Sequence, residues 1–141
     1  MQKNQKKCCG VWIDGHKAMI VKFGESGTKI GMIDSDMDEA YYHDGEKIMG
    51  SFSGRQHESP EKKISDRKHN IERKYMKQVF EEIKNNDEIY LIGPGEMRHR
   101  LKNFIDEEHK LDAHKINGCD SCDYLHEVQI VDRIKKHFNI V

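Results

Sequence analysis

Four groups of residues in this chain could carry chemistry by type and spacing. The first is Gly50-Ser51-Phe52-Ser53-Gly54-Arg55-Gln56, which leads into a basic stretch. A glycine-bounded loop tethered to Arg and Lys side chains can lie along a phosphate backbone and present an amide at a reacting centre. A glutamine has no useful pKa, so Gln56 could only orient a water or donate a hydrogen bond to developing charge. The plain alternative is a surface loop beside a solvated helix face.

The second group is Gly93-Pro94-Gly95-Glu96. A strand that enters a helix through glycines exposes N–H groups to an anion. Glu96 in the first turn repels an anion and suits the helix dipole, so a packed turn is the better reading. The third is Cys119 and Cys122, half of a zinc site. Cys8, Cys9, His114 and His126 are available to complete it, without diagnostic spacing. A redox use expects the pair after a strand in a thioredoxin-like order, which the leading strands contradict. The fourth is Asp14, which with Glu72, Glu96 and Asp132 could hold Mg²⁺ for nuclease chemistry. A hairpin turn explains Asp14-Gly15 fully. The nine histidines form no Ser/His/Asp or His-x-x-x-His arrangement. His109 and His137, late in helical stretches, suit helix C-termini when protonated. No metal and no cofactor is expected.

The elements that must position these groups follow from periodicity. Gly10–Ile13 and Ala18–Phe23 are apolar, β-rich runs on either side of Asp14-Gly15, and Thr28–Ile33 is a third. They read as three consecutive antiparallel strands. From Asp34 to Ser65 the pattern dissolves into one long loop, acidic at first and basic at its end. Near Asp66 a helix begins, with Ile71, Tyr75, Met76, Val79, Phe80 and Ile83 on one face. Glu88–Ile92 reads as a strand buried on both faces. Met97, Leu101, Phe104 and Ile105 mark a second helix. Lys110–Ile116 is a short strand, Asn117–Asp120 a turn, and Leu125, Val128, Val131, Ile134 and Phe138 line a last helix. The order is β-β-β-α-β-α-β-α, an α/β class with a mixed sheet and helices on both faces, the topology of ribonuclease-H-like folds.

The 141 residues fit one domain, residues 8–141, behind a disordered tail at residues 1–7. Lys and Arg number 24 and Asp and Glu 25, for a net charge of −1, which excludes a globally basic nucleic-acid binder but not a local basic patch. No stretch approaches the roughly 18 uninterrupted apolar residues of a membrane span. Without an export signal, the four cysteines are expected as reduced thiols in a cytoplasm.

The run Gly10-Val11-Trp12-Ile13-Asp14-Gly15-His16-Lys17-Ala18-Met19-Ile20-Val21 resembles the opening of a bacterial release-factor-like family. Its members, often labelled host-attachment or translational-machinery proteins, are related to the middle domain of archaeal and eukaryotic class 1 release factors and Pelota. Ile89-Tyr90-Leu91-Ile92-Gly93-Pro94-Gly95-Glu96 followed by Leu101 resembles the family's second hallmark, and Glu127–Val131 through Phe138 its C-terminal helix. The resemblance spans most of residues 8–138 and implies a ribonuclease-H-like fold that works at the ribosome, with rRNA or tRNA as partner. In the release factors a Gly-Gly-Gln loop enters the peptidyl-transferase centre, where its Gln helps position the hydrolytic water. By resemblance Gln56 matches that catalytic Gln and Gly54 the first Gly. Arg55 stands in place of the second, where glycine tolerates backbone angles and close approach that Arg does not. The implied activity is peptidyl-tRNA hydrolysis in peptide release or ribosome rescue, weakened by Arg55. Arg55, Lys62, Lys63, Arg67, Lys68, Arg73 and Lys74 would contact RNA phosphates. The alternative is a non-catalytic ribosome-binding module of the same fold, as in Pelota, which lacks the motif.

Overall fold

The computed structural model describes residues 6–25, 27–37 and 60–140. Strand β1 (Cys8–Ile13) turns into β2 (Lys17–Gly24) because Asp14 builds the turn with its own side chain. Its Oδ1 accepts the N–H groups of His16 and Lys17, each at 2.8 Å, while its backbone N–H donates to the Lys17 carbonyl at 3.0 Å. β3 (Gly27–Asp34) completes an antiparallel meander. Helix α1 (Pro60–Ile83) then leads to β4 (Glu88–Gly93), which pairs parallel with β1 from Cys8↔Glu88 to Trp12↔Ile92. Helix α2 (Met97–Glu108), a 3-10 turn (Lys110–Lys115), β5 (Ile116–Ser121, parallel to β4) and helix α3 (Glu127–Phe138) follow. The sheet order is β3-β2-β1-β4-β5.

Alternation along the strands sorts the core into two layers. Val11, Ile13, Ala18, Ile20, Ile89 and Leu91 meet α1 and α2 on one face. Trp12, Met19, Val21, Tyr90 and Ile92 meet Ile130 and Ile134 of α3 on the other.

The structure differs from the sequence expectation in four places. α1 starts at Pro60 rather than near Asp66. A proline suits the first helical position, where its missing N–H is not needed. The strand expected at Lys110–Ile116 is the 3-10 turn, with Leu111 88% exposed, and the expected turn at Asn117–Asp120 is strand β5. Gly118 is there for close approach. A Cβ would lie 2.7 Å from the Tyr90 ring and 3.0 Å from that of His137. On α3 the buried residues are Ile130 and Ile134, whereas Val128 is 71% exposed and Leu125 precedes the helix. In the segment expected as tail, Lys7 is held against β4. Its carbonyl accepts the Asp87 N–H at 2.7 Å and its N–H donates to Asp87 Oδ2 at 2.8 Å.

Candidate nucleic-acid interface

α1 exists because Tyr75, Met76, Val79, Phe80 and Ile83 recur at helical spacing and are buried on the sheet. Tyr75 fixes its position by donating its hydroxyl to the Asp14 carbonyl at 3.1 Å, and burial pushes this phenol far above its ordinary range. Two further ties come from α2. The Arg73 guanidinium pairs with Glu108, one N–H lying 2.7 Å from Oε1, and sits 5.9 Å from the Phe104 ring centre. Arg100 reaches back to Glu72 at 2.7 Å. His109, the C-cap of α2, stacks on Phe80 with ring centres 3.8 Å apart.

The outward face of α1 exposes Lys74 and Lys77, with Arg67 and Lys68 half-buried on the same helix. Lys62 and Lys63 belong to its first turns. Gly54, Arg55 and Gln56 lie outside the described residues. Of the expected phosphate contacts, the structure brings Lys62, Lys63, Arg67, Lys68, Arg73 and Lys74 onto one helix. It commits Arg73 to a carboxylate on the neighbouring helix. Exposed ion pairs of this kind contribute only about 0–1 kcal/mol, so a phosphate could compete for Arg73.

The other candidate groups resolve into structural roles. Asp14 is buried and its Oδ1 is occupied by the hairpin amides. Glu72 is paired with Arg100, and among the described residues no three acids, His or Cys converge on a metal position. Cys119 packs toward the α1–α2 face, whereas Cys122 is buried in the opposite layer, so the two thiols do not share a metal. Burial raises both thiols, which disfavours the thiolate that redox work needs. At Gly93-Pro94-Gly95 the turn is filled from within. Arg98 Nη1 donates to the carbonyls of Gly93 and Gly95 at 2.9 and 2.6 Å. Gly93 has φ +151°, and a Cβ there would lie 2.2 Å from the Ile13 carbonyl oxygen. This is the packed turn rather than the anion site.

Sequence reasoning misses one polar cluster, beside α3. His137 lies flat on Tyr90, ring centres 3.6 Å apart, with Nε2 3.0 Å from Asn117 Oδ1. The Tyr90 hydroxyl donates to Asp120 at 2.8 Å, and burial, followed by that carboxylate, raises the phenol. An open groove of about 520 Å³ runs past these rings, flanked by Gln129, Arg133 and Lys136. Gly118, beneath the ring pair, is the sequence signal that marks it.

No family model matches the chain, and no curated protein matches it in sequence. Among solved structures it is similar to Pelota of Thermoplasma acidophilum (TM-score 0.57, 17% identity, 92% of this chain and 32% of that one). It is also similar to Archaeoglobus fulgidus Pelota (TM-score 0.54, 10% identity, 96% and 34%). A third is the archaeal translation termination factor aRF1 (TM-score 0.55, 8% identity, 96% and 35%). The fold is therefore Pelota- and aRF1-like, and the chain spans about a third of the length of each of these proteins.

Proposed function

We propose that this chain is a release-factor-like domain of translation that docks on ribosomal or transfer RNA through the outer face of α1. The likeness to the archaeal translation termination factor aRF1 across 96% of this chain carries the reading. The sheet order, antiparallel on one side of β1 and parallel on the other, supports a ribonuclease-H-like class within that fold. The exposed Lys74 and Lys77, with Lys62, Lys63, Arg67 and Lys68 on the same helix, supply the charge that phosphates require. Arg55 and Arg73 join them, Arg73 by exchanging Glu108 for phosphate. The work is placed in the cytoplasm, where ribosomes are; among the described residues no helix is long and apolar enough to cross a membrane.

On the catalytic form of this proposal, Gln56 orients the water that hydrolyses peptidyl-tRNA and Gly54 shapes the loop. Arg55 favours the binding-only form, because it restricts the backbone beside Gln56. Co-sedimentation with 70S ribosomes over a salt series tests the docking. Log affinity is expected to fall with log salt at a slope of about −0.7 to −0.9 per phosphate neutralised. Glu substitutions at Lys62, Lys63, Lys74 and Lys77 are expected to abolish binding. A peptidyl-tRNA hydrolysis assay with Gln56→Ala separates the two forms. Loss of release supports catalysis, and an unchanged cellular effect supports binding alone.

A further inference from the structure

β3 closes one side of the sheet, and among the described residues no strand pairs with its outer edge. The hairpin register decides which of its backbone groups face outward. The Asp14–Lys17 hydrogen bond makes Lys17, Met19, Val21 and Phe23 the β2 residues that bond to β1. Ala18, Ile20 and Lys22 therefore bond toward β3, where they oppose Ile33, Gly31 and Lys29. The Ser35 N–H on the His16 carbonyl, at 2.9 Å, continues that register. The N–H and C=O groups of Thr28, Ile30, Met32 and Asp34 thus point away from the sheet. Ile30 and Met32 are also 48% and 50% exposed, side by side on one face, opposite the buried Val21 and Met19. A strand edge of this kind is a template for another strand.

We infer that β3 is a dimerisation edge that pairs antiparallel with β3 of a second copy, about a two-fold axis through Gly31. A two-fold axis perpendicular to the sheet keeps every side chain on its own face, so only registers centred on a residue are allowed. Centred on Gly31, all four outward residues find partners in kind. Ile30 opposes Met32 of the second copy, and Thr28 opposes Asp34, whose carboxylate can accept the threonine hydroxyl. The Gly31 register keeps like charges apart. Lys29 opposes Ile33, and the two Lys29 residues lie roughly 13 Å apart, four residues along the strand. Centring on Met32 instead would leave Thr28 without a β3 partner, and centring on Ile30 would leave Asp34 without one.

Gly31→Cys reads the register directly. Residues paired at the dyad have Cα atoms about 4.5 Å apart, within the range of a disulfide. A Cβ at Gly31 meets nothing within 4 Å, so the cysteine fits. With oxidised glutathione supplied as the oxidant, Gly31→Cys is expected to become mostly covalent dimer on a non-reducing gel. Lys29→Cys and the unsubstituted chain are expected to stay uncrosslinked. Sedimentation equilibrium gives an independent reading through Ile30→Pro, which removes an outward N–H and leaves the ladder to β2 intact. The dimer dissociation constant is expected to rise roughly tenfold to a hundredfold, with cooperative thermal unfolding retained. A monomeric unsubstituted chain, equal crosslinking of the two cysteine variants, or a dimer untouched by Ile30→Pro would overturn the inference.

Discussion

The two faces of the sheet are closed by different means. On one, α1 and α2 lay a wide apolar surface over the strands, and among the described residues fifteen buried ones form the larger cluster. On the other, α3 is the helix that meets the sheet among the described residues, and it does so where strand side chains are missing. Gly10 of β1 lies so close beneath Ile134 that a Cβ would fall 2.5 Å from its Cγ2, and Gly118 of β5 gives way to the Tyr90–His137 stack. A face covered by two helices distributes its packing over many contacts. Where α3 meets the sheet, the packing depends on a few positions where nothing larger than hydrogen fits. The first face is also the side of α1, so the proposed RNA contact rests on the broadly packed half of the molecule.

Substitutions can break this contrast, beginning with the turn that joins the layers. Gly93→Ala forces a Cβ onto the Ile13 carbonyl at a positive φ that L-residues avoid, and should cost about 3 kcal/mol or more in chemical denaturation. Gly10→Ala should cost about 2 kcal/mol by overpacking against Ile134. Ile134→Val in the same chain should recover part of that loss, giving a coupling that a double-mutant cycle measures. An additive result would show that the α3 face accommodates side chains as freely as the other.

Alkaline pH probes the first face. The Cys9 thiol is buried there and is pushed up to about 12 from an ordinary 9.0. The folded chain keeps this proton while the unfolded chain releases it above pH 9. Stability is therefore complete below pH 9 and falls between pH 9 and 12, by about 1.4 kcal/mol per pH unit for this group. Cys9→Ala should flatten that part of the stability–pH curve. The smallest effect belongs to the Arg73–Glu108 pair. Glu108→Gln should change stability by less than about 0.5 kcal/mol, and should strengthen RNA binding by freeing the guanidinium.

Much of the fold is legible in the chain because its signals are local. Asp14-Gly15 announces the hairpin, the unbroken apolar run Ile89–Ile92 announces a strand buried on both faces, and the spacing from Ile71 to Ile83 announces α1. β5 is hidden because it is an edge strand with few apolar residues, and its Gly118 resembles a turn residue while serving a ring on the neighbouring strand. The buried face of α3 is misread at Val128 because the helix starts only at Glu127 and turns Ile130 and Ile134 to the sheet, which leaves Val128 in the first turn 71% exposed. For the candidate site, the sequence places Arg67, Lys68, Arg73 and Lys74 on one helix and leaves Lys62 and Lys63 in the loop before it. That Arg73 is committed to Glu108 depends on how α1 and α2 cross, which no local pattern encodes.

The central claim is that α1 carries the chain to the ribosome. Co-sedimentation of the full chain with 70S ribosomes across a salt series, beside the variant with Glu at Lys62, Lys63, Lys74 and Lys77, tests it most directly. The account predicts binding at low salt that weakens steeply as salt rises and is lost in the variant. No binding at low salt, or binding that neither salt nor the four substitutions alter, would contradict it.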